Sequence, residues 1–253
     1  MLSEFLELNL FAFFLVFFRV GVAMMLLPGF SASYVTPRSR LVIALGITLM
    51  VTPLLLHILP VMPDSGVALL VMVVSEVIVG SVIGLTIRIM VGALQTAGML
   101  IALVSSLANA LIQDPIAEQQ SSLLSSFLGI LGVVLVFIMD LHHPMIRSVV
   151  ESYTLFLPGQ PLSFGDFSNL LARRVADSFE LGLQLATPFV IVSIVFNTGM
   201  GIMGRLMPAL PVFFFAMPAL IMIQMLLLAA VLSTMLMYFL ARFEDGMYVF
   251  LQL

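Results

Sequence analysis

Residues 105–122, SSLANALIQDPIAEQQSS, lie between two strongly apolar runs and gather Asp114, Pro115, Glu118, Gln119 and Gln120 in a chain otherwise poor in polar side chains. Irregular polar backbone beside lipid-grade helices is tolerated only where it is buried in protein, faces water or lines a water-filled path, because hydrocarbon offers no hydrogen-bond partner. Pro115 removes a backbone donor and disfavours helix at Asp114. Serines on both sides supply local side-chain bonds to backbone groups that a loop leaves unpaired. The segment therefore reads as a loop that packing can seat and a passing ligand can displace, which points to a conduit or its gate.

Composition sets the class around this loop. Of 253 residues, 62% are hydrophobic and 9% charged, and the mean hydropathy is +1.25; a soluble domain carries about 25% charge. This is an all-α, membrane-type chain, long enough for about six spanning segments of roughly 20 residues each and expected to form one compact unit. All nine basic residues are arginine, which excludes a phosphate-loop lysine, a Schiff-base lysine and a lysine general base. Zero cysteine removes disulfides and thiolate chemistry. A net charge of −4 argues against nucleic acid, which needs a basic face. The start, MLSEFLELN, lacks the positive n-region of a cleaved leader, so the first segment is expected to stay in the mature protein.

Apolar runs cover 8–30, 41–62, 67–87, 90–112, 123–139, 181–203 and 209–241. Pro28, Pro53 and Pro60 are expected to end or kink the early runs, and Pro188 and Pro218 to interrupt the late ones. Kinked hairpins fit this pattern better than straight rods. Joints are expected at 31–40, 62–66, a break at Thr86–Arg88, and 204–208; joints this short imply antiparallel neighbours. The extended stretch 140–180 holds LPGQPLSFGDF, where Asp166 or Ser168 is expected to cap a new helix, and the main internal boundary is placed near Pro161. Arg38 and Arg40 put the 31–40 joint on the cytoplasmic side by the positive-inside tendency.

Arg19 and Glu76 stand in apolar stretches with Arg88 nearby. An unpaired charge at bilayer depth costs at least about 2.5–3.5 kcal/mol, so these three are read as a buried charge-pairing group. The bland reading is a structural pair or a contact with another subunit; the functional one is an ion or proton path, for which titratable groups are too sparse. Gly80 and Gly84 form a small-xxx-small pattern, with Gly92, Gly98 and Ala102 further on, and mark close helix packing. His142 and His143 follow Asp140, but adjacent histidines on a helix point about 100° apart and no HExxH spacing is present, so no metal site is expected. No nucleophile elbow, zinc-protease motif or dinucleotide glycine loop occurs, so neither catalysis nor a cofactor is expected. Methionine-rich and phenylalanine-rich clusters at 200–207 and 213–215 read as apolar filling.

Three stretches, DPIAEQQSSLLSSF (114–127), DLHHPMIRSVVESYTLFLPG (140–159) and ATPFVIVSIVFNTGMGIMGRLMPALPVFFF (186–215), in this order, resemble the FliR/SctT-type family, the R subunits of type III secretion export gates. The resemblance runs over nearly the whole chain. It implies a non-enzymatic subunit of a gated pore for unfolded flagellar proteins. The partners it implies are P and Q export-gate subunits, the FlhB switch subunit, other membrane proteins of the export apparatus, and membrane lipids. It also implies a P-like helical part over 1–160 and a Q-like kinked hairpin over 161–253, with helices spiralling around the pore. The location would be the bacterial inner membrane at the flagellar basal body, much of the assembly standing on the periplasmic side.

Carried onto this chain, 105–122 resembles the family's plug, with Ser105, Ser106, Asn109, Gln113, Asp114, Pro115, Glu118, Gln119 and Gln120 as its residues. His142, His143, Ser152 and Pro158 match the polar joint that follows. Asn197, Gly201, Arg205 and Pro208 resemble the turn of the Q-like hairpin, a partner contact. Residues 209–215 are more apolar than that resemblance implies. The rival reading is a secondary transporter with an intramembrane site at Arg19, Glu76 and Arg88, although no internal repeat supports it.

Overall fold

The computed structural model describes residues 2–32, 34–106, 123–207 and 212–251, with backbone alone for 2–9, 212–215 and 248–251. Among the described residues seven helices follow one another: α1 (Leu2–Leu26), α2 (Pro37–Leu55), α3 (Gly66–Val104), α4 (Leu123–Ile138), α5 (His142–Leu155), α6 (Phe164–Leu206) and α7 (Val212–Leu251). Four of the described helices are long and apolar enough to cross a membrane. The bent α4–α5 pair, angled at 78°, adds a fifth if it counts as one span. At 1.5 Å per residue, the 39 residues of α3 reach about 58 Å and the 43 of α6 about 64 Å, roughly twice a 30 Å hydrocarbon core.

Local chemistry explains most helix ends. α1 stops two residues before Pro28, and Gly29 follows with a φ of 82°, a conformation that costs glycine nothing. A Cβ at Gly29 would also strike the Phe137 ring. The α1–α2 joint is held by the Arg40 guanidinium, which donates to the carbonyls of Ser31 and Ala32. Thr36 caps α2, its hydroxyl accepting the Ser39 N–H at 3.3 Å, and Pro37 takes the first helical position, where its missing donor is harmless.

Three local expectations are corrected. The anticipated break at Thr86–Arg88 does not occur, because α3 runs through it: no proline or glycine stands there, and the Thr86 hydroxyl donates back to the Val82 carbonyl at 2.7 Å. α6 begins earlier than a cap at Asp166 or Ser168 would allow. The Ser163 carbonyl accepts the N–H groups of Asp166 and Phe167, and Asp166 lies in the first turn, where its charge complements the helix dipole. Pro188 and Pro218 sit inside α6 and α7 without ending either helix.

The chain gathers into two compact units. The first comprises residues 1–90, 136–175 and 244–253, with Leu15, Val16, Val20, Ile83, Ile87, Met145 and Tyr153 among its buried side chains. The second comprises 91–135 and 176–243, built around Leu94, Ala97, Ile101, Leu128, Phe189 and Phe239. Both use glycine to bring helices together. In the first unit, a Cβ on Gly80 would meet the Arg19 backbone and one on Gly84 would lie 2.7 Å from Leu26 Cβ. In the second, a Cβ on Gly98 would lie 2.6 Å from Ser125 Cα, and one on Gly182 2.9 Å from Thr96 Cβ. Gly92 meets nothing within 4 Å, so the close-packing expectation applies to Gly80, Gly84 and Gly98 but not to Gly92.

Candidate functional site

The first unit contains a buried charge cluster. On α3, Glu76, Gly80, Ile83, Gly84 and Ile87 recur at helical spacing, and all five are buried. The two glycines let α1 approach so closely that Arg19, itself 1% exposed, meets Glu76 side-on. Arg19 Nε donates to Glu76 Oε2 at 2.7 Å and Nη2 to Oε1 at 2.9 Å, the parallel two-bond geometry that favours arginine over lysine.

α5 closes the cluster. Arg19 Nη1 donates to the Ser152 hydroxyl at 3.2 Å, and Nη2 donates to the carbonyl of Phe156, the C-cap residue of α5, at 2.9 Å. A cation at a helix C-terminus satisfies carbonyls that the helix leaves unpaired. The guanidinium also lies over the Tyr153 ring, 3.9 Å from its centroid. Tyr153 is fully buried, and its hydroxyl finds no hydrogen-bond partner among the described residues. Arg19 thus ties three helices together, and its charge is balanced inside the protein.

The structure joins Arg19 and Glu76, two of the three residues read from the sequence as a charge-pairing group. Arg88, expected in the same buried group, is instead exposed, about 18 Å along α3 from Glu76 by helical rise. The contributions of Ser152 Oγ, the Tyr153 ring and the Phe156 carbonyl carried no sequence signal, since they come from more than 130 residues away. Two grooves in this unit are lined by parts of 68–78 and 155–170, and neither is lined by Arg19 or Glu76.

In the second unit, the residues entering the polar segment are anchored. Val104 ends α3, and its carbonyl accepts the Ser193 hydroxyl of α6 at 2.9 Å. Asn197 Nδ2 donates in turn to Ser193 Oγ at 3.0 Å. Ser105 is fully buried, and Ser106 turns the chain with a φ of 60°. Asn109, Gln113, Asp114, Pro115, Glu118, Gln119 and Gln120 lie outside the described residues, as does Pro208.

Asn197, Gly201 and Arg205 are not in a turn. They occupy the last turns of α6 at positions i, i+4 and i+8, which places them along one exposed helix face. The glycines at 199, 201 and 204 weaken the helix without ending it; the ending comes at Leu206, before Pro208.

The model of the family described as "Bacterial export proteins, family 1" matches residues 10–246. The chain belongs to this family. Within bacterial export family 1, the chain is similar to the flagellar biosynthetic protein FliR of Caulobacter vibrioides, at 36% identity over 93% of this chain and 94% of the relative. It is also similar to the FliR protein of Escherichia coli, at 28% identity over 75% and 74%. A secretion system apparatus protein of Salmonella typhimurium, SsaT, matches at 25% identity over 72% and 70%.

Proposed function

We propose that this chain is a non-enzymatic subunit of a flagellar type III protein export gate, in which 105–122 acts as the plug of a pore for unfolded flagellar proteins. Its relatives carry the names of flagellar biosynthesis and secretion-apparatus proteins, and those names support the assignment to an export apparatus. The observation that carries this reading over a secondary transporter is the mutual neutralisation of Arg19 and Glu76. Both side chains are 1% exposed, and the carboxylate oxygens are occupied by the guanidinium. A coupling-ion site needs a carboxylate available to the ion. Here the carboxylate joins helices.

In this reading a P-like part, 1–160, and a Q-like hairpin, 161–253, assemble with P and Q subunits and the FlhB switch subunit. The assembly sits in the inner membrane at the basal body, partly on its periplasmic side. The exposed α6 face of Asn197, Gly201 and Arg205 is the partner contact. Exposed Leu49, Met50, Val67 and Leu123 supply apolar surface for lipid and neighbouring subunits. The Ser193–Val104 bond seats one end of the plug.

Deleting residues 113–120 tests the plug. The assembled complex is expected to form in normal yield and to leak small ions across the membrane. Unchanged permeability in a complex shown to be assembled would reject the plug assignment.

A further inference from the structure

The corner between α4 and α5 runs from Met139 to Leu141. Asp140 holds a φ of 57°, a left-handed conformation that aspartate tolerates better than most residues. Its carbonyl accepts the His143 N–H at 3.1 Å, and His143 Nδ1 lies 3.2 Å from the same oxygen and 3.9 Å from Asp140 Oδ1. His142 starts α5, and its ring stacks on Phe137, with centroids 5.1 Å apart and planes 11° from parallel. The two imidazoles do not diverge as adjacent helical residues are expected to, and their centroids are 4.1 Å apart. One ligand atom each from Asp140, His142 and His143 lies within 4.8 Å of the other two. His142 Nδ1 is buried and has no hydrogen-bond partner among the described residues.

We propose that Asp140, His142 and His143 bind a divalent transition-metal ion of the zinc type. Two imidazoles and one carboxylate suit zinc; calcium and magnesium prefer oxygen alone. Tetrahedral bonds of about 2.0–2.1 Å put donor atoms about 3.3 Å apart, so the three groups must close by roughly 1.5 Å. Side-chain rotation supplies this, because Asp140 and His143 are 77% and 71% exposed. The Phe137 stack holds the His142 ring while the other two close on the ion. The same exposure leaves the fourth position to water. A bound ion would pin the 78° corner between α4 and α5.

The test uses the full chain purified with its membrane partners in detergent, without a histidine tag and stripped with chelator. Cobalt(II) is titrated as the spectroscopic probe, and zinc is then added to displace it. One saturable site with the visible absorption of tetrahedral cobalt is expected. Asp140→Asn and His143→Ala should weaken binding by at least the roughly 10–100-fold that loss of an outer-shell partner costs. The wild-type complex gives an independent readout: zinc should protect His142 and His143, but not His57, from diethylpyrocarbonate. Absence of a saturable cobalt spectrum, undiminished binding in His143→Ala, or equal modification of all three histidines with and without zinc would overturn the site.

Discussion

Gly80 lies against the backbone of Arg19: a Cβ on Gly80 would run into the Arg19 carbonyl oxygen. The collision is with backbone, which cannot swing aside as a side-chain tip does. Gly80 is also one helical turn from Glu76, so the approach that needs glycine is the approach that aligns the ion pair. Gly80→Ala is therefore expected to cost about 1–3 kcal/mol, as overpacking does elsewhere, and to loosen the pair as well. Gly92→Ala, in the same helix with open space around it, is expected to be neutral or to stabilise by up to about 1 kcal/mol, because alanine is the better helix former. Thermal unfolding of the two variants, purified with their membrane partners, measures the contrast. Equal midpoints for both would mean that the Gly80 approach is not required.

The Arg19–Glu76 pair makes a non-additive prediction. Removing one partner strands the other charge in a dry site, and Glu76→Leu or Arg19→Leu alone is expected to cost roughly 3–5 kcal/mol. The double variant removes both charges together and is expected to recover most of that loss, less the bonds to Ser152 and the Phe156 carbonyl. Assembly yield and unfolding midpoint around the four-member cycle give the coupling. Loss of export in a double variant that assembles normally would mean that the pair has a role beyond holding helices.

Tyr153 separates ring from hydroxyl. Its ring faces the Arg19 guanidinium, while its hydroxyl is buried without a partner among the described residues. A buried hydroxyl without a hydrogen bond is a cost, so Tyr153→Phe is expected to be neutral or to stabilise by up to about 1–2 kcal/mol. Tyr153→Ala removes the ring and is expected to cost about 3–5 kcal/mol. Unfolding midpoints decide, and strong destabilisation by Tyr153→Phe would show that the hydroxyl is bonded in the assembled complex.

What could be read from the sequence follows from the range of each interaction. The all-helical membrane class was legible because apolar runs of spanning length have few alternative uses. Gly80 and Gly84 were legible because small residues four apart mark one helix face. Arg19 and Glu76 were legible as charges in need of a partner because neither is tolerable alone in apolar surroundings, but which group answers each was not. Arg88 misled because a charge beside an apolar run looks the same whether its helix face is buried or exposed. Thr86 misled in a different way: it looks polar in sequence but satisfies its own hydroxyl on the preceding turn. The cage of Ser152, Tyr153 and the Phe156 carbonyl could not be read, because a backbone acceptor has no sequence signature and α5 is remote in the chain. Asn197, Gly201 and Arg205 were placed in a turn by the family resemblance, yet helical hydrogen bonding continues to Leu206.

Ser193 links two of the elements on which the gate reading depends. Its hydroxyl donates to the carbonyl of Val104, immediately before Ser105, and accepts from Asn197 on the exposed α6 face proposed above as the partner contact. Ser193→Ala removes both bonds, and the Val104 carbonyl, in a part-buried position, loses the Ser193 hydroxyl, a cost of up to about 1–3 kcal/mol concentrated where the polar segment begins. Overall assembly should survive, since the apolar packing around Leu94, Ala97 and Phe189 is untouched. If 105–122 is the plug as proposed, its seating should weaken, so the assembled complex is expected to leak ions without any substrate present, and less severely than the 113–120 deletion. Asn197→Ala removes only the outer bond and should leak less than Ser193→Ala. Conductance of the three complexes in planar bilayers gives the order directly. A Ser193→Ala complex as tight as wild type, beside a leaking deletion, would mean that the plug is held by contacts within the segment or with neighbouring subunits, and that the end of α3 has no part in closing the pore.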